Sequence, residues 1–337
     1  MSKVAVVHSS DLISILRDLT ALIQKGGSTL VIGITTKDSE MKFTVNSGVA
    51  YTAVIPASET IPVDISVVYT PMEDFIPQDC VVTLDVGNSN ATFSSTDFRV
   101  TLEHAYSVTV PVEVPEDCEW HSMENFHHAL PGLKALVSTG LSTYYKREQP
   151  VNIYGNVSAV FYPNIRLQVR TIGIDFKATL PADHCRLLIT FIPESYSILG
   201  DWIYFRRDRR VLVLPYRPPA SQNMIPDIVA QMASPVTLTK GEYPHKVQVL
   251  AKMKFTRLTI VIYEQGIVTQ SFGKSTAVSI PLGDVNGVPI VSFIVPVDLW
   301  NICVKLIKSD TLQILYNKEG VLCLRTTAET IVLRAVC

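Results

Sequence analysis

No stretch of this 337-residue chain stays apolar for the roughly 18 residues that a membrane-spanning helix requires. The N-terminus has no basic run followed by an apolar core, so no secretory leader and no membrane partner are expected. The six cysteines, Cys80, Cys118, Cys185, Cys303, Cys323 and Cys337, form no CxxC pair and have no histidines at metal-ligand spacing. They are expected to be reduced thiols of a cytoplasmic protein, mostly small core residues, and neither a metal nor a cofactor is expected. Charge is scarce as well: charged residues make up 18% of the chain and the net charge is −2. That excludes a globally basic nucleic-acid binder, so positive charge for such a partner must be local. An apolar fraction of 47% excludes a disordered chain.

Catalytic signatures are missing too. The sequence has no GxSxG, no P-loop, no HExxH and no GxGxxG behind a strand. His127 and His128 are adjacent, and adjacent helical residues point about 100° apart, too far to share a metal. The same divergence separates His184 from Cys185, which reads as a core thiol. The chain is therefore expected not to be an enzyme.

What is present is repetition. Pro296-Val297-Asp298 precedes a helix-like run, Leu299 to Lys308, whose Leu299, Ile302, Leu306 and Ile307 fall near one face. A strand, a turn at Asn317-Lys318-Glu319-Gly320 and another strand follow. Pro181-Ala182-Asp183 and Pro62-Val63-Asp64 open similar stretches, and the three prolines stand roughly 115–120 residues apart. The aspartates are expected as helix N-caps. The expected fold class is α+β: three tandem units over residues 1–114, 115–220 and 221–337, each with two helices and an antiparallel sheet.

Within the first unit, Asp11 to about Lys25 reads as a helix closed by Gly26-Gly27. The second unit opens on a helix from about Ser122 to Tyr145 that Pro131-Gly132 should kink or split. In the third, residues 227–232 read as a short helix and Lys246–Leu250 as a strand. Lysines and arginines mark several helices: Arg17, Lys25, Lys134, Lys146, Arg147, Arg186, Lys305 and Lys308. Arg206, Arg207, Arg209 and Arg210 crowd one hairpin turn. Alone, these residues are as well explained by solvated polar faces.

Three tandem units of this composition resemble the bacterial-type DNA sliding clamp, the beta subunit of replicative polymerases. The resemblance is strongest from Pro296 through Asn301-Ile302, Leu312–Tyr316, Val321–Leu324 and Thr330–Val336, which look like that family's last helix, hairpin and terminal strand. The length, short for the cellular family, suits a phage-encoded member. The resemblance implies a head-to-tail homodimer, a trimer being the lesser alternative, with helices lining a central hole. Duplex DNA would thread it without sequence preference, held by Arg17, Lys25, Lys134, Lys146, Arg147, Arg186, Lys305 and Lys308. DNA polymerase and a clamp loader would be the protein partners.

The family's partner pocket lies between its second and third units, beside the C-terminus. Thr171-Ile172-Gly173-Ile174-Asp175-Phe176 occupies its floor, where Thr171 and Gly173 match the family pattern and Ile172, Asp175 and Phe176 depart from it. The terminal Leu333-Arg334-Ala335-Val336-Cys337 departs from the family's Met-Pro-Met-Arg-Leu. The implied pocket residues are Thr171, Gly173, Phe176, Val332, Leu333 and Val336. A virion or tail component built from β-rich repeats is the alternative reading of the same pattern.

Overall fold

A computed structural model of the chain describes residues 2–23, 29–46, 48–106, 113–138, 140–219, 223–232, 236–273, 276–317 and 319–335. In chain order the first stretch holds β1 (Ser2–His8), α1 (Ser9–Leu22), β2 (Leu30–Lys37), β3 (Glu40–Asn46), β4 (Ala50–Pro56), β5 (Val63–Tyr69), β6 (Val81–Val86), β7 (Asn90–Ser94) and β8 (Arg99–Glu103). Next come β9 (His121–Ser122), α2 (Leu130–Val137), α3 (Gly140–Tyr145), β10 (Val151–Tyr154), β11 (Val157–Tyr162), β12 (Ile165–Arg170), β13 (Lys177–Leu180), α4 (Ala182–Phe191), β14 (Ser195–Leu199), β15 (Trp202–Arg207) and β16 (Arg210–Pro215). The last are α5 (Ile225–Ala230), β17 (Val236–Thr239), α6 (Tyr243–Lys252), β18 (Arg257–Ile262), β19 (Gln265–Phe272), β20 (Ala277–Asp284), β21 (Val291–Pro296), α7 (Val297–Leu306), β22 (Thr311–Tyr316), β23 (Val321–Arg325) and β24 (Glu329–Arg334).

These elements form two compact units, residues 1–127 with 183–217, and residues 128–182 with 218–337. Unit 1 contains an eight-stranded sheet in the order β5-β2-β3-β4-β16-β15-β14-β9 and a four-stranded sheet, β1-β6-β7-β8. Unit 2 contains an eight-stranded sheet, β13-β10-β11-β12-β24-β23-β22-β17, and a four-stranded sheet, β20-β19-β18-β21. Each eight-stranded sheet is two four-stranded halves joined edge to edge. In unit 1 the joint is β4 against β16, from Ala50↔Val213 to Ala53↔Arg210. In unit 2 it is β12 against β24, from Ile165↔Leu333 to Val169↔Glu329.

The strict alternation of strand side chains gives each joint two faces. In unit 1, Tyr51 and Leu212 turn toward α1, where the Tyr51 hydroxyl donates to Asp18 Oδ2 at 2.8 Å and Arg210 Nη1 donates to the same oxygen at 3.1 Å. On the opposite face Ala50, Tyr204 and Val213 are covered by Cys118 and Trp120, with the Arg206 guanidinium 4.3 Å above the Trp120 ring. In unit 2, α2 packs on the Val169 face so closely that a Cβ on Gly132 would lie 2.5 Å from the Arg170 carbonyl oxygen. The other face, with Ala159, Leu315, Cys323 and Val332, is covered by Ile225, Ile228 and Val229 of α5.

Several sequence expectations are corrected. Val63–Tyr69 is a strand, because its β-branched run fits the pleated edge beside β2, and Asp64 accepts a hydrogen bond from Thr35 Oγ1 at 3.3 Å. The position matching Pro181 and Pro296 is Pro71: Pro71-Met72-Glu73 follows β5 and opens only a 3-10 turn, Glu73–Phe75, before Pro77. Among its described residues the first third of the chain thus has one α-helix, not two. Asp183 and Asp298 are not caps. They sit inside the first turn of α4 and α7, where a carboxylate faces the positive end of the helix dipole, and Asp298 follows a cap at Pro296 that makes no side-chain bond.

Pro131 lies at the start of α2, where its missing N–H is harmless; α2 ends at Val137 and α3 begins at Gly140. Residues 243–252 form α6, not a strand. Lys246–Leu250 alternates polar and β-branched residues and so mimics a strand, but Tyr243, Val247 and Leu250 are the residues that become buried, at helical spacing. The short helix expected over residues 227–232 is α5, two residues earlier. Helix α1 is capped by His8, whose Nδ1 accepts the Ser10 N–H at 3.4 Å, and ends at Leu22; Lys25 and Gly26-Gly27 lie outside the described residues.

Candidate nucleic-acid interface and partner cleft

In unit 2 the helices form a contiguous group because each buries one stripe. Helix α7 buries Val297, Trp300, Cys303 and Val304, and α6 buries Tyr243, Val247 and Leu250. The two lock through Trp300 Nε1, which donates to the Tyr243 hydroxyl at 3.1 Å. Helix α3 meets α7 at Gly140, where a Cβ would stand 3.3 Å from Ile302 Cγ1. The stripes left outward carry cations: Lys134 on α2, Lys246 and Lys252 on α6 and Lys305 on α7, all exposed. Lys146 and Arg147, just past α3, and Lys308, just past α7, are exposed as well. The acidic residues on these four helices reduce to Asp298; Glu242, next to α6, lies 3.9 Å from Lys246 in an exposed, weak pair.

Unit 1 contributes less. Arg17 is exposed on α1 beside Ser14. Arg186 on α4 is ion-paired with Asp183, so it can reach a phosphate only by leaving that carboxylate. Lys25 lies outside the described residues. The arginine-rich hairpin serves the fold. Arg206 stacks on Trp120, Arg207 Nη1 donates to the Phe191 carbonyl at 3.0 Å, Arg209 pairs with Glu40, and Arg210 pairs with buried Asp18. Lys246 and Lys252 are the cations that the sequence reading missed. The buried Tyr243, Val247 and Leu250 at helical spacing were the signal that could have placed them.

Unit 2 also holds two clefts beside α5. One, of about 350 Å³, has apolar walls of Tyr162, Ile165, Ile228, Val321 and Val332, with Arg166 and Arg334 at its rim. The other, of about 360 Å³, lies along Ile225, Val229 and Leu315. Of the pocket residues implied by the resemblance, Val332 lines the first cleft. Leu333, one residue on, points to the opposite face of β24 and is buried. Thr171 is buried with its hydroxyl 2.9 Å from Ser158 Oγ and donating to the Gly155 carbonyl at 3.2 Å, and Phe176 is buried. Gly173 takes a left-handed φ of 97°, which a side chain would strain. Val336 lies outside the described residues.

Burial pushes the Cys185 thiol up to about 12, which makes it unreactive. Among the described residues no group of three or more histidine, cysteine, aspartate or glutamate side chains could hold a metal ion.

Half-sheets joined edge to edge and packed against helices, repeated along the chain, define the class: this is the fold of the bacterial beta sliding clamps, over the full length of the chain. The Helicobacter pylori beta clamp, solved in complex with 5-chloroisatin, is 11% identical with a TM-score of 0.77, each chain covered in full. The DNA polymerase III subunit beta of Pseudomonas aeruginosa is 11% identical with a TM-score of 0.76, again with both chains fully covered. The Helicobacter pylori beta clamp bound to a DNA ligase peptide is likewise similar, at 11% identity, TM-score 0.74 and full coverage of both chains. No family model and no curated protein sequence matches the chain.

Proposed function

We propose that this protein is a DNA sliding clamp: a non-enzymatic ring that encircles duplex DNA and tethers a DNA polymerase, a clamp loader and other DNA-processing proteins in the cytoplasm. The observation that carries this reading is the pair of unfinished sheets. Each four-stranded sheet is the counterpart of one half of an eight-stranded sheet, and each ends on the strand that its counterpart uses for joining. In unit 1 that strand is β8, the counterpart of β16 and β24; in unit 2 it is β20, the counterpart of β4 and β12. β8 of one copy against β20 of another completes an eight-stranded sheet. Two such seams close a head-to-tail dimer and remove the exposed edges.

On this reading the chain comprises three clamp domains, residues 1–114, 115–220 and 221–337. Arg17, Lys25, Lys134, Lys146, Arg147, Arg186, Lys305 and Lys308, with Lys246 and Lys252 added, face the duplex. Phosphate contacts carry no base information, so the ring can slide, and topological linkage makes tight binding unnecessary. The cleft lined by Tyr162, Val321 and Val332, together with the Thr171–Phe176 segment, receives an apolar peptide of the partner; the Helicobacter pylori beta clamp has been solved bound to a DNA ligase peptide.

Light scattering behind size-exclusion chromatography tests the ring: a mass near twice 37.3 kDa is expected. In parallel, a cognate polymerase should extend primed circular DNA over longer stretches when the protein is present. A monomeric mass at every concentration, with no DNA-dependent stimulation, would overturn the proposal.

A further inference from the structure

The strands that form the joints differ in one respect that bears on how the ring opens. At the unit 2 joint the Arg170 N–H donates across to the Ala328 carbonyl at 2.9 Å, and at the unit 1 joint the Val54 N–H donates to the Arg209 carbonyl at 3.2 Å. Backbone donors alternate in direction along an antiparallel strand. The groups facing the joined strand are therefore those of Arg166, Gln168 and Arg170 on β12, and of Ala50, Thr52 and Val54 on β4. Every one carries an N–H.

On β20 the corresponding row is Ala277, Ser279, Pro281 and Gly283. Pro281 stands opposite Val268 of β19, as Gln168 stands opposite Ala159 of β11, with hairpins of equal length before them (Ile262↔Ile267 and Ile153↔Ser158). A proline has no N–H to give, so its ring nitrogen must face away from β19 and toward the open edge. On the other side of the seam, the β12–β24 register sets Thr101 against Ser279 and Arg99 against Pro281, since Arg166 opposes Val332 and Gln168 opposes Thr330. The Arg99 carbonyl would then meet no donor. Beyond Glu103 the chain leaves this edge, with His104 bridging to Val67 of β5, so nothing further along β8 replaces the missing bond.

We propose that Pro281 leaves the β8–β20 seam between two copies one backbone hydrogen bond short, making it the weakest joint of the closed ring and the place where the ring opens. This rests on the head-to-tail ring proposed above. The same proline blunts the β20 edge of a free monomer against indiscriminate strand addition, so opening does not lead to aggregation. In the unit 1 joint a proline, Pro215, stands only at the end of β16, beyond the last paired residues Ala50↔Val213, whereas Pro281 interrupts the middle of the seam; the inner joints therefore stay shut while the seam parts.

Sedimentation equilibrium of the full chain, wild type against Pro281→Gln and Pro281→Ala, tests the inference, with circular dichroism establishing that each variant is folded. One net hydrogen bond is worth about fivefold in an equilibrium constant. A closed dimer loses both seams together, so each variant is expected to dimerise about 25-fold more tightly than wild type. Hydrogen exchange of the wild type supplies a reading that needs no variant: the Thr101 and Gly283 amides should slow on dimerisation. Folded variants that dimerise no more tightly than a dimeric wild type, or amides at these positions that exchange alike in monomer and dimer, would overturn the role of Pro281 while leaving the ring intact. A wild type that stays monomeric at every concentration would overturn the ring reading itself, and the seam with it.

Discussion

Asp18 is 7% exposed and accepts hydrogen bonds from Tyr51 and Arg210 on β4 and β16, the two strands of the unit 1 joint. Burial lifts its carboxyl above the ordinary carboxylate range, and the Tyr51 bond and Arg210 charge offset that only in part. The folded chain therefore holds this proton to higher pH than the unfolded chain does. Between the two values the folded state binds more protons, so this group's contribution to stability falls as pH rises and levels off above the folded-state value. The slope is opposite to that of an ordinary ion-paired aspartate. Urea unfolding of wild type and Asp18→Asn at a series of pH values from about 4 upward should show the wild type losing ground to the variant and then running parallel to it. A difference that widens in favour of wild type with rising pH would mean that the Arg210 charge outweighs burial.

Among elements, the contact of α2 with β12 gives a decision between opposing effects. Replacing Gly132 by alanine in an ordinary helix would be favourable by up to about 1 kcal/mol through helix propensity. Here the added methyl would meet the Arg170 carbonyl oxygen at 2.5 Å, a backbone atom of the joint strand that cannot move aside cheaply. Overpacking of this kind costs about 1–3 kcal/mol, so Gly132→Ala should lower the denaturation midpoint, not raise it. Denaturant titration checks the sign. The same level of structure explains where sequence reading failed. Alternating Val247 and Val249 imitated a strand inside α6, and Pro62-Val63-Asp64 imitated the opening triplet that Pro71-Met72-Glu73 supplies. A two- or three-residue pattern does not carry the packing partner that decides between helix and strand.

For the molecule as a whole, the proposed clamp function turns on which cations are available to a polyanion. Lys246 and Lys252 are exposed on α6, whereas Arg209 is held by Glu40. Each phosphate neutralised adds about 0.9 to the salt slope of duplex binding. Lys246→Glu with Lys252→Glu should therefore weaken binding to a linear duplex and flatten the slope by about 2, while Arg209→Ala leaves the slope unchanged. Fluorescence anisotropy across a salt series reads both. An unchanged slope in the lysine variant would remove α6 from the DNA-facing surface.

The sequence by itself determined the α+β class and most strands, because alternation and turn residues are local properties of the chain; of the three spacing markers, the two at Pro181 and Pro296 open helices and the one at Pro62 does not. It also excluded the common catalytic motifs, which depend on residue types at short spacing. Tertiary structure decided what the arginines of the β15–β16 hairpin do, since four adjacent cations look alike until Trp120, Phe191, Glu40 and Asp18 are brought beside them. It also decided which face of β24 Val332 and Leu333 occupy, and it put Pro281 on an open edge. A side chain's partner comes from sequence-distant strands, and only the folded sheet fixes which backbone donors point outward.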